Sequence, residues 1–318
     1  MSKIKKIGMY YEFANTQLIN SAYKQFQNPI AEILMIHRVD TNIYQNIPAF
    51  QDLIISPEFL ESLITEYLSL GYTFISINEL YRHLNNPSYI SNQKNIVLTI
   101  DDGYKDTFTN AFPILQKHHI PFVFYISSSF PDKTIPLWWN FLNDLIISNP
   151  QITLRDKKVL KCESMDEKIK SYVYLSKEIL KMNNHLTTHF PLLFNIELEE
   201  IIQKYNHLLI NWDEIYTMSC DDLCTIGAHS EFHYGLKYCD KQFVYNDLYT
   251  NKIKLENKLG NKIDHLAYPF GTHYSVGKRE YSIAKEVGFK TATVTFSSKV
   301  YKYHKNNMYS IPRIMIKE

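Results

Sequence analysis

The stretch Asn95-Ile-Val-Leu-Thr-Ile-Asp-Asp-Gly-Tyr104 constrains this chain more than any other. Ile96 to Ile100 is a short apolar, β-branched run. That is the pattern of a strand buried on both faces, as in parallel sheets covered by helices. The run stops at two adjacent carboxylates, Asp101 and Asp102, and then a glycine. Adjacent residues at a strand end point in different directions, so the two acids need not do the same job. One can bind a metal while its neighbour takes a proton from water. The same letters also describe a plain Asp-Gly turn, and the rest of the chain has to decide between the two.

Strands and helices alternate around this stretch. Residues 30–39 read as a first strand with His37 near its C-terminal end. Ser56-Pro57 starts a helix to about Leu70, with Ser at the cap, Pro in the first turn and Gly71 after the end. Residues 72–75 form the next strand, and Ser76 with Glu79 reads as a capping box for a short helix. After the acidic strand come a helix at about 106–118 and a strand at 121–126. Further on, the pattern predicts a short helix at 213–218, a strand at 223–227 and a long polar helix at about 240–259. A strand at 265–268, a helix near 276–287, a strand at 290–295 and a terminal strand at 309–316 complete it. Seven or eight βα-like units of this kind predict a parallel α/β architecture, in which chemistry collects at the C-terminal ends of the strands. Asp101, Asp102 and His37 all fall at such ends.

Residues 127–210 break the rhythm. Trp138-Trp139 opens an apolar helical stretch, and further helical segments follow at 166–182 and 191–210. This reads as an inserted helical subdomain or lid in an α/β domain spanning 30–318, preceded by an N-terminal arm at 1–29 that carries a loose helical stretch at 10–27. Trp138-Trp139 fits either a helix core or a stacking platform for a sugar ring.

A net charge of +1 gives no reason to expect nucleic acid or an anionic membrane as a partner. No apolar run is long enough to span a bilayer, and no signal-peptide core follows the basic start, so a cytoplasmic protein is expected. Four cysteines do not make a disulfide framework. Cys220 and Cys224 precede His229 and His233, but only four residues separate Cys224 from His229. A zinc finger needs roughly 12 there.

His229 and His233 stand four apart directly after the strand-like Thr225-Ile226-Gly227. On a helical turn that spacing puts both imidazoles on one face. With a carboxylate from the acidic strand they would make a His2Asp set, which leaves positions open for water and substrate. The competing reading is two unrelated surface histidines.

Taken together, IDDGYKDT, IGAHSEFH and AYPFG, in this order, resemble the first three motifs of the polysaccharide deacetylase family, also called carbohydrate esterase family four. The similarity runs from about residue 30 to the C-terminus, interrupted at 127–210. It implies a distorted (β/α)7 barrel that removes acetyl groups from acetylated sugars with the help of one divalent metal, usually zinc and sometimes cobalt or nickel. By this resemblance Asp101 is the general base, and Asp102, His229 and His233 are the metal ligands. Tyr268, Pro269, Phe270 and Gly271 line the substrate groove, with a backbone N–H near Phe270 helping to hold the oxyanion.

The chain departs from the family pattern twice. Ala267 stands where the third motif usually carries an arginine that orients the base. Arg313, in Ile-Pro-Arg-Ile, is either its replacement or a surface ion pair. The usual C-terminal histidine acid is missing too. However, MIHRV at 35–39 resembles the N-terminal histidine motif of the circularly permuted poly-N-acetylglucosamine deacetylases. That makes His37 the expected acid, with Asp40 or Asp106 as its tuning partner and His273 as second choice. A cytoplasmic enzyme of this kind would act on a nucleotide-linked or lipid-linked sugar or a surface-glycan precursor. Two other readings remain: a different C–N amide hydrolase on the same barrel, and a sugar-binding module with a dead site.

Overall fold

A computed structural model describes residues 28–41, 47–86, 88, 94–182 and 185–318. The expected helical stretch at 10–27, and all of the 1–29 arm except its last two residues, lie outside the described residues.

The acidic run forms the strand Lys94–Ile100, buried from Asn95 onward. Glu32–Ile36 and Phe122–Ile126 both pair with it in parallel. From Phe122–Ile126 the sheet continues through Cys224–Ala228, His265–Ala267, Thr291–Val294 and Ile311–Pro312, again in parallel throughout. Tyr72–Phe74 joins the start of the acidic strand off this path. The two ends of the row meet in one short segment. Ile311–Pro312 pair with Thr291–Val294, while Ile314–Met315 pair with Glu32–Ile36. Residues 311–315 therefore stitch the last strand to the first and close the sheet into the expected distorted (β/α)7 barrel. The terminal strand anticipated as one piece is split at Arg313, because its two halves pair with different neighbours.

The helices follow from their caps. Ser56 accepts from Phe59 N–H at the start of Pro57–Ser69, and Ser76 and Glu79 form the reciprocal capping box of Ile77–Asn85. Asp240 caps the long helix Lys241–Leu259, and Gly260 ends it in the left-handed conformation. This helix is less simply polar than its composition suggests. Its buried face alternates Val244, Leu248 and Leu255 with Asp247 and Asn251.

Three elements differ from expectation. The first strand breaks at His37: Glu32–Ile36 belong to the barrel, while Arg38–Val39 pair with Ile54–Ile55. The break coincides with the end of the partner strand, where Asp101 N–H makes its bond to the Ile36 carbonyl and the chain then leaves the ladder. The helix expected from 106 begins as a π-helical turn, Thr107–Ala111, before Phe112–Lys117. Pro113 has no N–H to donate to the preceding turn, which removes one bond of a regular α ladder. The insertion contains the expected helices, as Trp138–Ser148, Met165–Leu180, Leu186–Phe194 and Leu198–Tyr205. It also contains an antiparallel hairpin, Gln151–Thr153 with Val159–Lys161, that was not anticipated. Phe141, Leu175, Phe190 and Ile201 of the insertion share one continuous apolar core with the barrel residues Leu98, Phe124 and Leu266. Among the described residues, no helix is long and apolar enough to cross a membrane.

Candidate active site

Asp102, His229 and His233 converge where the acidic strand and Cys224–Ala228 end. Asp102 Oδ1 lies 3.2 Å from His229 Nε2 and 3.1 Å from His233 Nε2. All three residues are buried, and among the described residues theirs is the one cluster with the reach of a metal site, its ligand atoms all within 4.8 Å of one another. His229 Nδ1 sits 2.8 Å from the Ala267 carbonyl. A carbonyl only accepts, so Nδ1 carries the proton and Nε2 turns a lone pair toward Asp102. Two imidazole nitrogens and a carboxylate oxygen gathered in this way fit a divalent ion and leave its other positions to water and substrate. Burial holds His233 in its neutral, ligating form, since it pushes the imidazole down in spite of Asp102. Burial would push the Asp102 carboxyl up, but the closeness of His229 and His233 holds it well below the usual carboxylate range.

The histidines do not meet on a helical turn, as their spacing suggested. Residues 229–233 form an irregular loop in which Ser230 (φ 64°) and His233 (φ 54°) are left-handed, which no α-helix accommodates. Ser230 Oγ accepts from His233 N–H at 3.0 Å and closes the loop, bringing the ring centroids to 5.0 Å. Asp102 (φ 82°) and Phe270 (φ 60°) are left-handed too. Strained backbone of this kind persists where the surroundings over-determine it, and it concentrates at functional sites.

Asp101 points elsewhere. Arg313 Nη1 and Nη2 donate to its Oδ1 and Oδ2 at 2.6 and 2.7 Å, and Nη1 also donates to Thr99 Oγ1 at 3.1 Å. The guanidinium is 0% exposed, so this is no surface ion pair. Burial would raise the Asp101 carboxyl, but Arg313, with His229 and His37 nearby, holds it below the ordinary value and ionised.

His37 occupies the break in the first strand, half-buried and close enough for its charge to act on both Asp101 and Asp102. Its Nδ1 is buried and has no hydrogen-bond partner among the described residues. The carboxylates considered as its partners instead bind the next residue. Asp106 accepts from Arg38 Nε at 2.7 Å and from Val39 N–H at 3.2 Å, and Asp40 accepts from Arg38 Nη2 at 2.6 Å. Burial outweighs Arg38 and raises the Asp106 carboxyl to about 6. His273 is exposed and stacks on Phe296 with 3.7 Å between ring centroids.

An aromatic wall surrounds His233. Phe270 lies 4.9 Å from its ring, Trp139 5.0 Å and Phe130 5.8 Å. Both Trp138 and Trp139 are buried, so this pair packs in the interior rather than standing out as an open platform. Trp139 Nε1 donates to the Tyr104 hydroxyl at 2.6 Å, which in turn donates to Asn140 Oδ1 at 3.0 Å. In the 268–271 stretch, Tyr268 is fully buried and donates its hydroxyl to the Tyr309 carbonyl at 3.1 Å. Phe270 is the aromatic side chain of this stretch that faces the cluster. Gly271 (φ 57°) leaves no room for a side chain, because a Cβ there would lie 2.9 Å from Thr295 N.

Two site-supporting residues had escaped the sequence. Asn251 Oδ1 accepts from His229 N–H at 3.1 Å, and Asp247 Oδ1 accepts from Phe232 N–H at 3.0 Å. The available signal was two polar residues four apart in phase with Val244, Leu248 and Leu255. The four cysteines form no disulfide, and Cys224 is buried.

A family model described as polysaccharide deacetylase matches residues 89–292. No curated protein sequence matches the chain. Among solved structures, the Streptococcus pyogenes deacetylase PplD in complex with acetate aligns with a TM-score of 0.59 at 16% identity, over 91% of this chain and 94% of that one. IcaB from Ammonifex degensii aligns with a TM-score of 0.56 at 17% identity, over 92% and 93%. A de-N-acetylase from Aggregatibacter actinomycetemcomitans aligns with a TM-score of 0.58 at 17% identity, over 90% and 95%.

Proposed function

The chain belongs to the polysaccharide deacetylase family, and on that premise we propose that it hydrolyses the acetamide of an N-acetylated amino sugar within a glycan, with zinc as its ion. The observation that carries this reading is the buried Asp102, His229 and His233 set with an ionised, arginine-clamped Asp101 beside it.

Asp102, His229 and His233 would hold the ion. Two imidazoles and one carboxylate are a ligand set that zinc accepts readily. A divalent ion in this position supplies polarisation of the acetyl carbonyl and a water of lowered pKa. Asp101 serves as the general base, and the two bonds from Arg313 fix the orientation of its carboxylate. His37 serves as the general acid: it gives its proton to the amine nitrogen as the C–N bond breaks. A backbone N–H beside Phe270 helps to hold the oxyanion of the tetrahedral intermediate. Phe270, Trp139 and Phe130 keep the surroundings of His233 dry, which strengthens the electrostatic contacts inside.

The test is acetate release from N-acetylglucosamine oligomers by metal-free protein, by the same protein after Zn2+ is restored, and by Asp101→Asn and His233→Ala. Release that needs the ion, with loss of at least about 100-fold in Asp101→Asn, supports the reading. Zn2+-loaded protein that binds the oligomers but releases no acetate would instead make it a sugar-binding module.

A further inference from the structure

We propose that Asn251 and Asp247, one helical turn apart on Lys241–Leu259, are positioning residues that set the affinity of the Asp102, His229 and His233 site for a divalent ion. The proposal rests on the metal-site reading above.

The parallel ladder between Phe122–Ile126 and Cys224–Ala228 has its last registered pair at Ile126 and Ala228. The next residue, His229, is a proposed ligand, and its N–H makes the last bond of the ladder, to the Ile126 carbonyl. Asn251 caps the two strand ends at that point. Its Oδ1 accepts from His229 N–H and its Nδ2 donates to the Ile126 carbonyl, both at 3.1 Å. The same His229 N–H also reaches the Ile126 carbonyl at 3.1 Å, so the amide completes a three-membered ring of hydrogen bonds. Asn251 is 0% exposed, and these two bonds satisfy one donor and one acceptor of its amide.

One turn earlier, Asp247 grips the other end of the loop through Phe232 N–H, the residue before His233. Between the two grips lies the left-handed Ser230, and the left-handed His233 follows directly after the second, where no regular structure fixes it. Helix geometry spaces residues four apart along one face, so the helix acts as a template for the span from His229 to His233.

Neither residue serves the helix itself. Asn and Asp are poor helix formers, and on a face otherwise made of Val244, Leu248 and Leu255 a buried amide or carboxyl costs stability unless it is hydrogen-bonded. The loop bonds supply the reason for both. Groups that orient ligands from behind in this way typically change metal affinity by about 10–100-fold when removed.

The experiment is a competition titration of full-length protein with Zn2+ against a chromogenic chelator, for wild type, Asn251→Ala, Asp247→Ala and Asp247→Asn. The Co2+ d–d spectrum and the melting temperature of each metal-free protein are recorded alongside. Weakening of Zn2+ binding by about 10–100-fold in both alanine variants, a changed Co2+ band and recovery of affinity in Asp247→Asn are the expected results. Asparagine keeps the acceptor for Phe232 N–H, whereas alanine does not. Lowered melting temperatures with an unchanged Zn2+ dissociation constant would overturn the proposal and leave a packing role. If Asn251→Ala does not fold, Asp247→Ala and its asparagine rescue decide the matter. Wild-type protein that takes up no zinc overturns the metal-site reading itself, which separates that failure from unchanged affinity in the variants.

Discussion

Arg313 and Asp101 meet through two near-parallel hydrogen bonds of 2.6 and 2.7 Å, although 212 residues separate them in the chain. Arg313 sits between the two half-strands that close the barrel, so barrel closure and the setting of Asp101 are one structural event. Removing the guanidinium leaves a buried carboxylate without its counter-charge, so Arg313→Ala should destabilise the protein by about 3–5 kcal/mol. Arg313→Lys keeps the charge but loses the two-pronged geometry. With burial less opposed, the Asp101 carboxyl rises in either variant. The acidic limb of the pH–rate profile should therefore move to higher pH, and kcat should fall more than KM changes. Denaturant unfolding and pH–rate measurements check this, and an unmoved acidic limb in Arg313→Lys would count against the base role.

Much of this was legible in the sequence because parallel α/β folds write strands as short apolar runs and put polar residues at their ends. The acidic strand, the capped helices after Ser56 and Ser76 and the His-loop strand were all readable in that way. What escaped depends on contacts that are distant in sequence. Ala267 alone says that an arginine is missing. Only the closure of 311–315 onto the first strand brings Arg313 to Asp101. The HxxxH spacing suggested a helical turn, but positive φ at Ser230 and His233 makes the same approach in a loop. Asp247 and Asn251 looked like ordinary solvated helix positions because a sequence does not show what packs on a helix face.

His37, the proposed acid, is not among the three residues that gather as a candidate metal site. Its Nδ1 is buried with no hydrogen-bond partner among the described residues, while Asp106 and Asp40 are engaged by Arg38. His37→Ala should lower kcat by about 100- to 10,000-fold, with zinc stoichiometry unchanged. Inductively coupled plasma mass spectrometry beside the rate assay separates the two effects. Loss of zinc in this variant would make His37 part of the metal site instead.

Tyr104 joins the acidic loop to the insertion, because its hydroxyl accepts from Trp139 and donates to Asn140. Tyr104→Phe leaves both of those buried groups without that partner, while Trp139→Phe removes a single donor. The first should cost about 1–3 kcal/mol and exceed the hydrogen-bond part of the second. The double variant should lose less than the sum of the two, since both delete the same bond. Urea unfolding of the three variants supplies the cycle, and strict additivity would show that the bond does not couple the insertion to the barrel.

Asp247 gives a pH dependence whose sign follows from its setting. Burial, only partly offset by bonds from Phe232 and its neighbours, raises the carboxyl to about 7. An unfolded chain would return it to about 3.9. A folded value above the unfolded one means that the contribution of this group to stability is fully present below about pH 4 and is lost as pH rises toward about 7. The loss is at most about 1.4 kcal/mol per pH unit for one proton. Asp247→Asn does not titrate, so relative to wild type its melting temperature should rise between pH 5 and pH 8. The comparison belongs in chelator-treated protein, where zinc binding adds no pH dependence of its own. Parallel melting curves for the two proteins across that range would mean that the carboxyl stays ionised, held by the loop N–H groups more strongly than burial opposes it.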